Sequence, residues 1–374
     1  MNIAFFCIPA HGHTNPTLAV VRELTARGHT VRYYTTEAFR AKVEAAGAVF
    51  VPFDTEAARP GMTAADGARL GSDLAFSTKL IVDLTLAADD WLSRELTAHR
   101  PDVIAGDSMA FWAKLAAKKH GIPFVSSTTT FAFNRFRAKV IEQNGAGFLQ
   151  FLLAQPRINR QLKRLRAAGY AVKSVFDIIA NDNETETVVY TSPDFQPCAD
   201  TFSEKYHFVG PLLRPAQSSF EKLPGRSLIY ISLGTVNNDA LPFYRACLAA
   251  FGGDPRFQLV LSAGTQTDLA ALGPIPENCT VRASVDQMAV LDCADVFLTH
   301  CGMNSASEGL WHGLPLVLYP QTPEQHGVAN RVAALGAGVP LTDPSADGIR
   351  RAVEAALTDP AYRENAQKLA DGFR

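Results

Sequence analysis

Histidines, carboxylates and small residues gather at a few points of this 374-residue chain. One is Ala10-His11-Gly12-His13-Thr14-Asn15, which follows an apolar run over residues 2–9. An imidazole titrates near working pH and can take a proton from a hydroxyl, so a histidine here is a candidate general base. A carboxylate on its other ring nitrogen would fix the tautomer and stabilise the imidazolium. A further point is Thr299-His300-Cys301-Gly302-Met303-Asn304-Ser305-Ala306-Ser307-Glu308. Here Gly302 permits a tight turn, and Asn304 with Ser305 can cap the helix that follows. Exposed amides at a helix N-terminus attract a phosphate or pyrophosphate, and His300 adds a donor. Glu308, one turn further on, can accept both hydrogens of a ribose diol. Beyond the next strand, Glu324 and Gln325 bring a carboxylate and an amide suited to sugar hydroxyls.

These groups need a scaffold that presents strand ends. The run over residues 2–9 reads as a strand buried on both faces. Asn15 before Pro16 predicts an N-cap and an N1 proline for a helix reaching about Arg27. Strands follow at 30–35 and 49–53, with a helix over 37–46 between them. A loop over 55–72 leads to a helix over about 76–98, a strand over 102–106 ending at Asp107, and another strand beginning at Gly121. Residues 128–180 read as irregular helix, with Phe131, Phe133, Phe136, Phe148 and Phe151 as a dense aromatic group. Aromatics at helical spacing are usually core, although several could line an apolar acceptor pocket. The strand pattern resumes at 188–190.

Pro211, Pro215, Pro224 and Gly225, among Gln217, Ser218 and Ser219, mark an interdomain linker over 211–226. The alternation then restarts, with strands at 228–232, 258–262, 279–282, 296–299 and 316–319 and a helix over about 241–251. Short strand–helix–strand spacing predicts parallel sheets with crossover helices. The expected fold is therefore α/β, with one Rossmann-like domain over 1–210, a second over 227–374, and a central cleft between them.

Composition narrows the partners. The hydrophobic fraction is 47% and the formal net charge −2, so no basic surplus points to nucleic acid or anionic lipid. The six cysteines form no Cys-x-x-Cys pair, which suits neither a zinc site nor a disulfide framework. The opening Met-Asn-Ile-Ala-Phe-Phe has no basic region, and no apolar run approaches the roughly 20 residues of a membrane span. A cytoplasmic protein with small-molecule partners is expected. A G-x-G-x-x-G after the first strand, as a nicotinamide enzyme would need, is absent. The basic run over 161–166 reads as solvated surface charge rather than a membrane-lying helix. A non-catalytic sugar-nucleotide-binding protein is the main alternative to an enzyme.

The span over about 284–327 resembles the donor-binding signature of family 1 glycosyltransferases, in particular the bacterial macrolide and antibiotic branch. The matching residues are His300-Cys301-Gly302, Asn304-Ser305, Glu308, Gly313-Leu314-Pro315 and Glu324-Gln325. Gly12-His13-Thr14-Asn15-Pro16, Val209-Gly210-Pro211 and Ser232-Leu233-Gly234-Thr235 match the same family, so the resemblance covers nearly the whole chain. It implies a GT-B fold, with the acceptor in the N-terminal half and a UDP-sugar co-substrate in the C-terminal half. It also implies inverting, metal-independent transfer with no other cofactor. His13 rather than His11 would be the base and Asp107 its partner. His300, Gly302 and the amides of Asn304 and Ser305 would meet the diphosphate, bordered by Gly234 and Thr235. Glu308 would hold ribose, and Glu324 and Gln325 the sugar.

The chain departs from that family in places. Ser284-Val285-Asp286-Gln287 stands where many members carry Trp-x-Pro-Gln, so the ring that stacks the nucleobase is missing there. The Val285 backbone is left to read a uracil edge, with Gln287 nearby. Glu324 replaces an aspartate common in plant members. The chain ends at Arg374, in or just after a helix expected from about Ala361, whereas members usually continue into a further helix.

Overall fold

The computed structural model describes residues 1–53, 73–134, 145–235 and 238–374, with 145–152 by backbone alone. The chain divides into two compact units, Met1–Leu212 and Leu213–Arg374.

The first unit carries strands β1 (Asn2–Phe6), β2 (Thr30–Thr35), β3 (Val49–Pro52), β4 (Val103–Asp107), β5 (Phe124–Thr128), β6 (Thr187–Val189) and β7 (Tyr206–Phe208). They pair in parallel in the order β3-β2-β1-β4-β5-β6-β7. The pleat sends alternate residues of β1 to opposite faces. Ile3 and Phe5 join Val21, Val31, Tyr33 and Val43, while Ala4 and Phe6 join Tyr34, Leu84, Leu92 and Trp112. Register makes the aromatic pairs: Phe5 lies opposite Tyr33 and Phe6 opposite Tyr34, with ring centroids 5.0 and 4.3 Å apart. Burial of each such ring contributes about 1.5–3 kcal/mol, and the paired rings fix β1 against β2.

The second unit repeats the plan with β8 (Ser227–Ser232), β9 (Phe257–Ser262), β10 (Cys279–Arg282), β11 (Val296–Thr299), β12 (Leu316–Leu318) and β13 (Gly338–Pro340), in the order β10-β9-β8-β11-β12-β13. These pairings are parallel as well. Ile229 and Ile231 pack with Tyr244 and Cys247 of the helix Leu241–Phe251 and with Ile349 and Val353 of the helix Ala346–Thr358. Tyr230, between them, turns to the other face and stacks on Phe297 at 4.8 Å.

In each sheet the strand order reverses beside the unit's first strand, at β1/β4 and at β8/β11. Crossover helices there leave on opposite faces and open a crevice beyond the carboxyl ends of the strands, where ligands of open α/β sheets bind.

Two local expectations are corrected. The first helix runs His11–Ala26 with Ala10 as its cap, so Pro16 lies inside the helix and Asn15 is not the N-cap. Asn15 Oδ1 instead accepts from Lys42 Nζ at 3.2 Å. β5 begins at Phe124, later than expected, because Gly121 at φ +66 closes the helix Phe111–His120. β7 and β13, three residues each, are too short to show a period. The proline-containing stretch after Leu212 is tied to the second unit, where Lys222 Nζ meets Asp295 Oδ2 at 2.5 Å and Leu223 N donates to Gln258 Oε1 at 2.8 Å. All six cysteines are free thiols, and among the described residues no helix is long and apolar enough to cross a membrane.

Candidate active site

His13 and Asp107 are far apart in sequence and meet at the β1/β4 crevice. His13 lies in the first turn of the helix that leaves β1, and Asp107 is the last residue of β4. Their Nδ1 and Oδ2 atoms are 2.8 Å apart, with the Asp107 side chain fully enclosed and that of His13 13% exposed. The other carboxylate oxygen, Oδ1, accepts from the Met109 amide at 2.9 Å, which stops Asp107 from rotating. Thr129, the residue after β5, brings its Oγ1 to 2.9 Å from His13 Nδ1 and donates to Asp107 Oδ2 at 3.4 Å. Sequence reasoning missed Thr129, although β5 pairs with β4 in register with Asp107 opposite Ser127, which puts the end of β5 beside the carboxylate. His11 is set apart. It is exposed, its ring meets Phe39 edge-on at 5.0 Å, and partial burial and Lys42 lower its pKa.

A cavity of about 90 Å³ adjoins Asp107, lined among others by Phe111, Lys114, Phe131, Phe133 and Ile178. Its one cation, among the described lining residues, is Lys114, whose ammonium donates to the Ala180 carbonyl at 2.8 Å. Burial pulls that amine down to about 8, against Asp182 and Asp177. Phe131 is buried against Phe195 at 5.3 Å, so it serves packing as well as the cavity wall. Phe136 and the side chain of Phe148 lie outside the described residues.

In the second unit, Ser232, Thr299 and Leu318 close β8, β11 and β12 side by side, because Thr299 pairs with both of the others. The residues that follow them therefore share one edge. His300 sits between two glycines: a Cβ on Gly234 would come within 2.6 Å of its ring, and one on Gly302 within 2.6 Å of its Nε2. Gly234 has φ +79, whereas Gly302 has an ordinary φ of −60. The tight turn belongs instead to Cys301, at φ +63. Its strain is offset locally, since Cys301 N donates to Thr299 Oγ1 at 3.1 Å. Gly302 is thus required for space beside His300, and it is also the N-cap of the helix Met303–Trp311. Asn304 and Ser305 lie inside that helix rather than capping it. Their amides belong to its first turn, and Ala306 N donates to Gly302 O at 2.9 Å. Burial holds the His300 imidazole down at about 4, against the Ser232 backbone, so the ring is neutral. Its Nδ1 is a buried nitrogen without a hydrogen-bond partner.

Glu308, one turn on, accepts from Gln287 Nε2, and Gln287 Oε1 accepts from Tyr230 OH at 3.0 Å. Burial raises the Glu308 pKa, opposed by Gln287 and Arg214. Tyr230 and Arg214 were not singled out from the sequence; Tyr230 looks like any core strand residue until its register places the hydroxyl at the sheet edge. Ser284 and Thr235 are exposed and Val285 half-buried. Glu324 is exposed in the first turn of the helix Pro323–Ala334. Gln325 closes that helix's capping box with Thr322. Its Oε1 accepts from the Gln321 and Thr322 amides at 2.7 and 3.2 Å, so its side-chain amide nitrogen is the group left for a ligand. Among the described residues no cluster of His, Cys, Asp and Glu is placed to hold a metal.

Comparison with known proteins gives this geometry its context. Residues 257–373 match the family model of the Erythromycin biosynthesis protein CIII-like C-terminal domain. The chain is 33% identical to the NDP-glycosyltransferase YjiC of Bacillus licheniformis, over 98% of this chain and 92% of that protein. It is 32% identical to a demethyllactenocin mycarosyltransferase of Streptomyces fradiae, over 100% of this chain and 83% of the relative. Among solved structures, the glycotransferase of kitacinnamycin superposes with a TM-score of 0.85 at 30% identity, covering 100% of this chain and 94% of that one. With such likeness along its whole length, the chain belongs to the GT-B glycosyltransferases of the bacterial macrolide and antibiotic branch.

Proposed function

We propose that this glycosyltransferase transfers a hexose, glucose first among the candidates, from a UDP-sugar to a hydroxyl of a hydrophobic small molecule. A macrolide, a flavonoid or another phenol is the expected kind of acceptor. Transfer proceeds with inversion, without a metal or any cofactor beyond the nucleotide sugar, in the cytoplasm. The reading rests above all on the 2.8 Å contact between His13 Nδ1 and Asp107 Oδ2.

With Nδ1–H turned to the carboxylate, Nε2 carries the lone pair that accepts the acceptor's proton. The acceptor oxygen forms its bond to the anomeric carbon as the bond from that carbon to the diphosphate oxygen breaks. The electron pair leaves on the diphosphate, and the proton ends on His13. Asp107 does not take the proton; it stabilises the imidazolium. Such a base contributes about 10²–10⁴-fold. Negative charge developing on the leaving diphosphate is suited to the amides of Asn304 and Ser305 and to a neutral N–H of His300. Glu308, oriented by Gln287, is suited to the ribose hydroxyls, and Glu324 with the Gln325 amide to the sugar. A relative named for demethyllactenocin supports a natural-product acceptor.

The test is a matrix of nucleotide sugars against macrolide, flavonoid, sterol and phenol acceptors, read by mass spectrometry, with the anomeric configuration of the product read by NMR. A β-linked product from UDP-α-glucose is expected. An α-linked product would remove inversion, and no transfer from any nucleotide sugar would remove the function.

A further inference from the structure

In the function proposed above the second unit meets the diphosphate, the ribose and the sugar with polar groups, yet the turn over 284–287 offers the base only Ser, Val, Asp and Gln side chains. A nucleobase is a flat, polarisable ring, and sites that bind it tightly put a planar partner against its face. A guanidinium does this as well as an aromatic ring, through stacking and cation–π attraction.

We propose that Arg214 is that planar partner: its guanidinium supplies the face against which the donor's nucleobase stacks beside the Ser284–Gln287 turn. The proposal rests on the reading that the second unit binds a nucleoside diphosphate sugar.

The turn and the arginine are physically tied. Arg214 Nη1 lies 3.3 Å from Asp286 Oδ1, and Asp286 is the residue between Val285 and Gln287. Asp286 is itself anchored, but not in the usual way. It stands at the N-cap position of the helix Gln287–Leu291 without capping it. Its Oδ2 accepts instead from the amides of Gln217 and Ser218, at 2.6 and 2.9 Å, and from Ser218 Oγ at 3.2 Å. One carboxylate thus clamps the segment that carries Arg214 onto the turn that would meet the base. The Arg214 side chain remains 46% exposed while that of Asp286 is only 13% exposed, so the arginine stays accessible with the ion pair formed. Its charge also reaches inward to Glu308 and Tyr230, lowering the pKa of both against burial. Arg214 therefore stands beside the turn proposed for the base, within reach of the field of Glu308.

Binding of UDP and of dTDP to the full chain, measured by calorimetry for wild type, Arg214→Ala, Arg214→Lys, Arg214→Trp and Arg214→Tyr, separates the roles. Stacking predicts that Ala and Lys both weaken binding, by about tenfold, because lysine keeps the charge and loses the plane. It further predicts that Trp or Tyr brings affinity back to within about twofold of wild type. Wild-type affinity in Arg214→Lys, or in Arg214→Ala, overturns the proposal, as does failure of both aromatic variants to restore binding while they melt like wild type. A wild-type chain that binds neither nucleotide overturns the donor reading itself and this proposal with it.

Discussion

Thr129 Oγ1 stands 2.9 Å from the same His13 nitrogen that faces Asp107, and its hydroxyl proton is directed at the Asp107 carboxylate. The imidazole edge is thereby held by two side chains from neighbouring strand ends. Asp107→Asn should keep the fold and lower kcat on the order of 10³–10⁴-fold, because an amide can favour the wrong tautomer. Thr129→Val removes a weaker support, worth about 0.5–1.5 kcal/mol, and should lower kcat only several-fold with KM for the donor unchanged. Single-turnover rates against pH would check both. A fully active Asp107→Asn enzyme contradicts the dyad, as would a folded His13→Ala enzyme with unchanged turnover.

The two glycines that flank His300 make separable predictions. Gly302 has φ −60, a conformation any residue adopts, so Gly302→Ala tests space alone. Its Cβ would meet His300 Nε2 at 2.6 Å and push the ring aside. Overpacking of this kind costs about 1–3 kcal/mol. Gly234→Ala adds a backbone penalty at φ +79 and should be the more damaging of the two. UDP affinity and melting temperature are the readouts. Wild-type values for Gly302→Ala would show that the ring has room to move.

Because His300 is buried and neutral, it links folding to pH. The unfolded chain protonates this histidine near its ordinary 6.5, the folded one only near 4. Between those values the unfolded state binds more protons, so stabilisation present above about pH 6.5 is lost as pH falls toward 4. His300→Gln removes that contribution, and its melting temperature should fall less than that of wild type between pH 7 and pH 4.5. Parallel declines would show that another group carries the effect. Donor binding should show no titration from His300 between pH 5.5 and pH 8.

Tyr230 offers a test from beneath the site. Tyr230→Phe keeps the ring that stacks on Phe297 and deletes the hydroxyl that orients Gln287. Gln287 would then be free to release Glu308. UDP should bind a few-fold more weakly, consistent with about 0.5–1.5 kcal/mol for one hydrogen bond, while stability changes little. An unchanged dissociation constant would leave Tyr230 a packing residue only.

Sequence pattern carried much of this molecule. Short apolar runs at β1, β8, β9 and β11 alternate with helical patterns, so parallel sheets and their crossovers were legible. So were the residues that belong to contiguous motifs, such as His13 and His300 with Glu308. What stayed hidden depends on register or on backbone conformation. Thr129 follows a strand like many threonines and matters only because β5 pairs beside Asp107. Asn15 and Pro16 imitate a helix start, yet the helix begins at His11 and carries Pro16 inside it, past the first turn where proline is tolerated best. The turn before the donor helix was assigned to its glycine, but Cys301 takes the left-handed conformation and Gly302 makes room for an imidazole. Short edge strands such as β7 and β13 leave too few residues for any period to show.

The clamp between Asp286 and the segment at Gln217 and Ser218 bears on how such enzymes are recombined. Every donor-side group named above, Arg214 included, lies after Leu212, and the His13–Asp107–Thr129 cluster lies wholly before it. A chimera spliced at Leu212 keeps each of these residue groups whole. One spliced at 226, where the proline-rich stretch ends, transplants Asp286 without its arginine. Shuffled libraries joined at the earlier point should therefore retain nucleotide affinity more often than those joined at the later one.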